Sequence, residues 1–291
     1  MCLIVFDWRP DADDGALFTL TANRDEFLRR TAMPMAWWGD APDLLAGRDL
    51  VGGGTWLGIT RDGRFAALTN YRAPSEFRAD APTRGTLVSA WLTGEWLSGE
   101  WLDGGSSDSK RELIRSATPL DYLRHVARTG DVYNGFNLIV GDWRRRELGW
   151  YCNRSAAAPA LLAAGTHGIS NAVLDTPWPK LVRKRAELGA LVGDGGQPPL
   201  DELVKLMRDP QLARDDELPA TGISLERERA LSAAFIDTPD YGTRGTTALR
   251  VIARDGRLAV EAVERSDDNG SHRLARPGHF ETRYAFDVAN A

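Results

Sequence analysis

Cysteine, histidine and methionine are scarce in this chain of 291 residues: two, four and four copies. Cys2 and Cys152 can build no disulfide framework and stand in no Cys-x-x-Cys spacing, and His125, His167, His272 and His279 are scattered, which argues against a structural zinc site and predicts no metal centre. No apolar run approaches the roughly 20 residues of a membrane span. The apolar start gives way by Arg9 to Pro10-Asp11-Ala12-Asp13-Asp14, without the basic lead and small-residue cleavage site of a signal peptide. A cytoplasmic protein with no membrane span is expected. Charge of one sign is missing too: 36 basic residues face 41 acidic ones, a net charge of −5, and no basic stripe runs the length of a helix. Nucleic acid is therefore excluded as a partner.

What is present begins at residue 2. Cys2-Leu3-Ile4-Val5-Phe6, followed by Asp7-Trp8, is apolar on both alternating faces, the pattern of a strand covered on both sides. Removal of Met1 would leave Cys2 with a thiol and a free α-amine on one residue. The thiol titrates near about 8.5 and the amine near about 7.7 to 8.0, so the amine is able to take the thiol proton near neutral pH. Two readings stand side by side: a small apolar core residue, or a nucleophile that carries its own base.

Ala16 to Glu26 reads as the second arm of a hairpin. On a regular strand Asn23 and Asp25 share one face, with Thr19 and Thr21, while Arg24 points to the other with Ala22. The polar end is either an exit to solvent or a functional cluster at a strand tip. Residues 27 to 47 read as an irregular loop in which Trp37 and Trp38 wall a pocket or pack on the sheet. Gly52-Gly53-Gly54 precedes a strand and lacks a following Gly-Lys, which marks a bulge or close backbone approach instead of a phosphate loop.

Three hairpins follow from turn chemistry: residues 55–71 around Asp62-Gly63, 136–152 with Arg144-Arg145-Arg146 at the tip, and 246–264 around Asp255-Gly256. Residues 161–171 are extended, and 279–288 form a last strand. Helices are expected over 86–102, with Leu87, Trp91 and Leu102 on one stripe and Gly94 and Gly99 against it. Others are expected over 119–128, 180–191 and 201–207. On the third, Lys180, Arg183, Lys184 and Arg185 read as a solvated face. Residues 193–228 are the most linker-like, yet the strands after them resume the earlier pattern, so residues 1–291 read as one domain. Hairpins outnumber helical crossovers, which predicts an α+β fold, a four-layer α-β-β-α sandwich of two antiparallel sheets with outer helices.

Met1-Cys2, Asn23-Arg24-Asp25-Glu26, Thr69-Asn70-Tyr71, Gly168-Ile169-Ser170-Asn171 with Leu174 to Trp178, and Tyr241-Gly242-Thr243-Arg244 occur in this order. With these spacings the sequence resembles the transport and Golgi organisation family, also called the NRDE family after the tetrad at 23 to 26. The resemblance runs from Met1 to the last strands and implies an N-terminal nucleophile hydrolase-like fold. By likeness to choloylglycine hydrolases and penicillin V acylases it implies Cys2 as nucleophile with its α-amine as base and Asp25 orienting that amine. The Asn70 backbone N–H and the Asn171 amide would be oxyanion donors, and Arg244 would sit near the sulfur. Ala22 departs from the pattern, standing where those hydrolases carry an arginine.

Two functions are expected from this. One is a Cys2-dependent amidohydrolase or acyl-thioester-handling protein that requires no cofactor. The other is a carrier of a small apolar or acylated ligand, haem or acyl-coenzyme A by the family's links, with Asn23, Arg24, Glu26, Trp37, Trp38 and Trp56 at the ligand and His125, His167 or Cys152 as axial donors for haem. Eukaryotic relatives add an organiser of secretory and Golgi structure.

Overall fold

The apolar alternation of the first strand sets the layers. The computed structural model describes residues 2–97, 116–271 and 273–289. Met1, Gly99, Leu102 and His272 lie outside these. In β1 (Cys2–Trp8) every residue is buried. Ile4, Phe6 and Trp8 enter a core between two sheets, whereas Leu3 and Val5 enter a second core under helices.

The first sheet joins β1 to β2 (Gly15–Phe27), β10 (Gly165–Ile169), β11 (Tyr241–Arg254), β12 (Arg257–Ser266) and β13 (Phe280–Asp287), in the order β10-β1-β2-β11-β12-β13. The second runs in sequence order: β3 (Ala32–Trp37), β4 (Leu44–Asp49), β5 (Leu57–Thr60), β6 (Arg64–Asn70), β7 (Phe136–Asp142), β8 (Glu147–Cys152) and β9 (Ala160–Leu161). All pairings within both sheets are antiparallel. Phe18 and Phe65, one from each sheet, both pack on Trp143, with ring centroids 4.7 and 5.2 Å away.

Helices α1 (Gly85–Thr93) and α2 (Pro119–Ala127) cover the second sheet, and α3 (Pro179–Val192) and α4 (Leu200–Leu206) cover the first. The fold is the expected α-β-β-α sandwich. A short α5 (Leu225–Ala230), capped by the Ser224 hydroxyl on the Arg227 N–H, begins inside the stretch read as linker-like and runs two residues past it. Among the described residues no helix is long and apolar enough to cross a membrane.

Three local readings change. Residues 32–49 are a strand pair, not an irregular loop; β3 is an edge strand, and its register shift between Met33 and Ala36 accommodates Pro34, whose missing N–H an edge tolerates. Residues 161–171 break at Gly165 (φ 143°) into β9 and β10, which belong to different sheets. The first helix stops at Thr93 because Gly94 turns left-handed at φ 76°.

Candidate active site

Pairing of β1 with both neighbours decides what surrounds Cys2. In the register with β2, Cys2 lies directly opposite Arg24, so thiol and guanidinium project from the same face. On the other side β10 pairs Ile169 with Ile4, and the Ser170 hydroxyl beyond it donates to the Cys2 carbonyl at 3.1 Å. Asn171 follows. Its side-chain N–H donates to the Asn70 carbonyl at 2.8 Å, which ties the tip of β6 in the second sheet to the strand beside Cys2. Cys2, Asn70 and Asn171 are thus gathered at one end of the sandwich.

That end opens into a cleft of about 1350 Å³ lined by Cys2, Arg24, Asp25, Glu26, Trp56, Asn70 and Arg244, among others. Asn171 is buried and bonded to Asn70, which lines the cleft. Asn23 is fully buried and bonded on every side: its amide donates to the Met207 and Ala234 carbonyls at 2.8 and 2.7 Å and its oxygen accepts from Thr246 at 2.7 Å. It pins the first sheet to the chain beneath, away from the cleft. Trp37 and Trp38 also lie away from the cleft. Trp37 packs on Phe286 under the Arg61 guanidinium, and Trp38 sits under Arg48 with its indole N–H on the Ala46 carbonyl.

Arg244 is placed by a β-bulge. Thr243 pairs with Asp25 and Gly245 with Arg24, so Arg244 is skipped by the ladder. Its Nε donates to both Asp267 oxygens at 2.8 and 2.7 Å, and its Nη1 donates to the Phe27 and Arg30 carbonyls at 3.1 and 2.7 Å. The guanidinium is committed to this buried pair, and the arginine that acts on the Cys2 thiol is Arg24.

Burial pushes the Cys2 thiol above its ordinary value, and the Asp25 backbone N–H and Arg24 pull against that shift. Asp25 accepts from the Thr243 hydroxyl at 2.7 Å. Burial raises its carboxyl as well, opposed first by the charge of Lys180. Lys180 is the residue that the sequence reading missed. It is buried on α3, donates to the Leu231 carbonyl at 2.9 Å, and burial lowers it to about 8. Lys184 is buried one turn on and bonds Asp209 at 2.7 Å. The helical spacing held the signal, because 180, 184 and 188 fall on one stripe with buried Leu188.

None of the three side chains set aside as haem donors reaches the cleft. His125 stacks on Tyr122, His167 bonds Asp175, and Cys152 lies in the core between the sheets. Of the side-chain types that ligate haem iron, Cys2, Met33, Tyr71 and Tyr241 line it.

A family model described as Transport and Golgi organisation 2 matches residues 1–268. The Transport and Golgi organization protein 2 homolog of Bos taurus is 37% identical over 281 residues, covering 91% of this chain and 93% of its own. The Homo sapiens homolog is 33% identical over 295 residues, covering 96% and 99%. The Drosophila melanogaster protein of that name is 26% identical over 278 residues, covering 90% and 91%. Among solved structures, the C2A mutant of a conjugated bile acid hydrolase from Clostridium perfringens aligns over 99% of this chain and 92% of its own at 9% identity and a TM-score of 0.44. A Caenorhabditis elegans N-acylethanolamine-hydrolyzing acid amidase ortholog aligns over 85% and 92% at 8% identity and a TM-score of 0.39.

Proposed function

The chain belongs to the Transport and Golgi organisation 2 family, and from that premise we propose that its cleft is an acyl-transfer site at which Cys2 cleaves an amide or thioester. The observation that carries this reading is the position of Cys2: at the tip of β1, on the cleft wall, opposite Arg24, with Asp25 adjacent. Once Met1 is removed the α-amine of Cys2 takes the thiol proton, and the sulfur attacks the substrate carbonyl. The carbon–nitrogen or carbon–sulfur bond breaks, and the leaving group departs with the proton held by the amine. Water, deprotonated by the same amine, then attacks the acyl-thioester, releasing the acid and restoring the thiol.

Asp25 holds the amine and favours the ammonium that forms, with Lys180 behind it opposing protonation of the carboxyl. Asn171 uses one amide hydrogen on the Asn70 carbonyl, and the group carries two. With the Asn70 N–H it supplies the oxyanion donors. The buried thiol stays protonated until its base acts, which suits a nucleophile deprotonated only with substrate in place.

The test has two steps. Intact mass of the protein purified from its own cells should show Met1 absent. A screen of N-acyl amides and acyl thioesters should then give turnover that Cys2→Ala abolishes while ligand affinity survives. Retained Met1, or equal turnover in wild type and Cys2→Ala, overturns the reading.

A second reading, a carrier of an apolar ligand such as haem or an acyl thioester, is favoured by the breadth of the cleft and by Val51 and Phe77 on its lining, exposed at 65% and 68%. It predicts ligand retention that depends on Arg24 and is indifferent to Cys2→Ala.

A further inference from the structure

The chain carries a net charge of −5, yet its cleft gathers nine arginines against six acidic residues. Carboxylates within 3 Å hold four of the nine: Asp49 on Arg30, Asp40 on Arg48, Glu228 on Arg72 and Asp267 on Arg244. Arg24 approaches Glu26 at 3.8 Å. Among the described residues Arg29, Arg78, Arg84 and Arg227 form no ion pair.

Arg84 differs from the other three. Arg29, Arg78 and Arg227 sit where water reaches them, whereas Arg84 is partly buried, its Nη1 donating to the Gly135 carbonyl at 2.9 Å; burial lowers it, and Glu26 is the carboxylate whose charge opposes that shift. A guanidinium withdrawn from water without a counter-ion is costly, and an anion arriving with a ligand offsets that cost. Its planar fork of five N–H groups matches a carboxylate or phosphate. The backbone beneath it is closely packed: a Cβ on Gly54 would fall 2.4 Å from the Gly85 carbonyl carbon, so the glycine loop is pressed against the residue after Arg84.

We infer that the cleft selects an amphipathic acyl compound that carries an anionic group, and that Arg84 binds that group. This rests on the acyl-transfer reading of the cleft. The apolar part lies toward Val51 and Phe77. The competing role for Arg84 is a strap, since the Gly135 carbonyl it holds also accepts the Tyr71 N–H at 2.9 Å, beside Asn70.

The full chain carrying Cys2→Ala, titrated calorimetrically, separates these. The probes are N-decanoylglycine and its neutral counterpart N-decanoylglycinamide, with N-decanoyl-aminoethyl phosphate distinguishing a carboxylate site from a phosphate site. An anion should bind at least tenfold more tightly than the neutral amide at low salt, with a preference that shrinks as salt rises. Arg84→Met should abolish the preference and leave affinity for the neutral amide within twofold, and Arg84→Lys should keep part of it. Equal affinities, no binding of any probe, or an Arg84→Met loss shared equally by anion and neutral amide overturns the inference. Where Arg84→Met fails to fold, Arg84→Lys and the salt series carry the same decision. Wild-type turnover of both amides without anion preference ends this inference and leaves the acyl-transfer reading standing; anion-selective binding without turnover of any amide or thioester ends the acyl-transfer reading and leaves Arg84 only as the anion contact of a bound ligand.

Discussion

Cys2 and Arg24 face each other across the β1–β2 ladder, and the positive charge of Arg24 lowers the thiol that burial raises. Replacing Arg24 by Met removes one of the groups that oppose burial, leaving the N-terminal charge and the Asp25 backbone N–H. Alkylation of Cys2 by iodoacetamide at pH 7.5 should slow about fivefold, the equivalent of about 1 kcal/mol of charge interaction at a partly solvated site, and Arg24→Lys should restore most of the rate. Mass mapping of the adduct checks this, with Cys2→Ala reporting any reaction at Cys152. An unchanged rate in Arg24→Met would remove Arg24 from the site.

Arg244 and Asp267 make a different kind of pair. Their side chains are 3% and 1% exposed, so removing one partner strands a buried charge. Arg244→Met should lower the free energy of unfolding in urea by roughly 3 to 5 kcal/mol, and the double variant Arg244→Met with Asp267→Leu should recover much of the loss. Recovery separates a structural pair from a group needed at the sulfur. If the double variant regains stability and turnover together, Arg244 holds the bulge; if it regains stability alone, Arg244 also serves the chemistry.

Asn171 bears on the oxyanion. Loss of one such donor typically lowers kcat by about 10² to 10³. Asn171→Ala should show that loss on an amide or thioester substrate, with KM changed far less. It should also cost about 1 kcal/mol of stability through its bond to the Asn70 carbonyl. A loss of stability without the fall in kcat would leave Asn171 as a tie between sheets.

The layers were legible because they follow from short-range pattern. Apolar residues on both faces of β1 called for cover on each side, and Asp255-Gly256, both at positive φ (51° and 72°), closed its hairpin as such a pair does. Period-two alternation put Asn23 and Asp25 on one face of β2 and Arg24 on the other, and the structure shows the first face turned to the helices. The site was less legible where one residue breaks the period. The bulge that turns Arg244 onto Asp267 has no signature in Gly242-Thr243-Arg244-Gly245, since either register satisfies the alternation. Lys180 and Lys184 were given to solvent by residue type although their spacing put them on the buried stripe of α3. Trp37 and Trp38 announced an aromatic wall, and what they cover is fixed by how β3 pairs with β4, which the loop-like composition hid.

His167 and Asp175 provide a pH signature outside the cleft. Nε2 of His167 faces the Ala163 carbonyl at 3.1 Å, which only accepts, so that nitrogen carries a proton; Nδ1 faces the Asp175 carboxylate at 2.9 Å, which favours a second. The bond to Asp175 raises the His167 value, while Asp175 is lowered, burial being outweighed by its bonds to His167, Gly168 and Arg185. The histidine's share of stability is complete below about 6.5 and fades as pH climbs through its raised value. The aspartate's share is complete above about 3.9 and fades as pH falls through its lowered one. The pair therefore stabilises most between about pH 4 and 6.5. Asp175→Asn keeps the left-handed turn at φ 58°, which Asn tolerates, and removes the charge. Urea unfolding of wild type and Asp175→Asn across pH 4 to 9 should show a difference on the order of 1 kcal/mol, moderated by solvent around the partly exposed carboxylate. That difference should be largest near pH 5 to 6 and smaller by pH 8 to 9, where Arg185 at 3.0 Å is the cation left on Asp175. A difference that grows with pH instead would mean that His167 is neutral in the folded protein and that Arg185 alone holds the carboxylate.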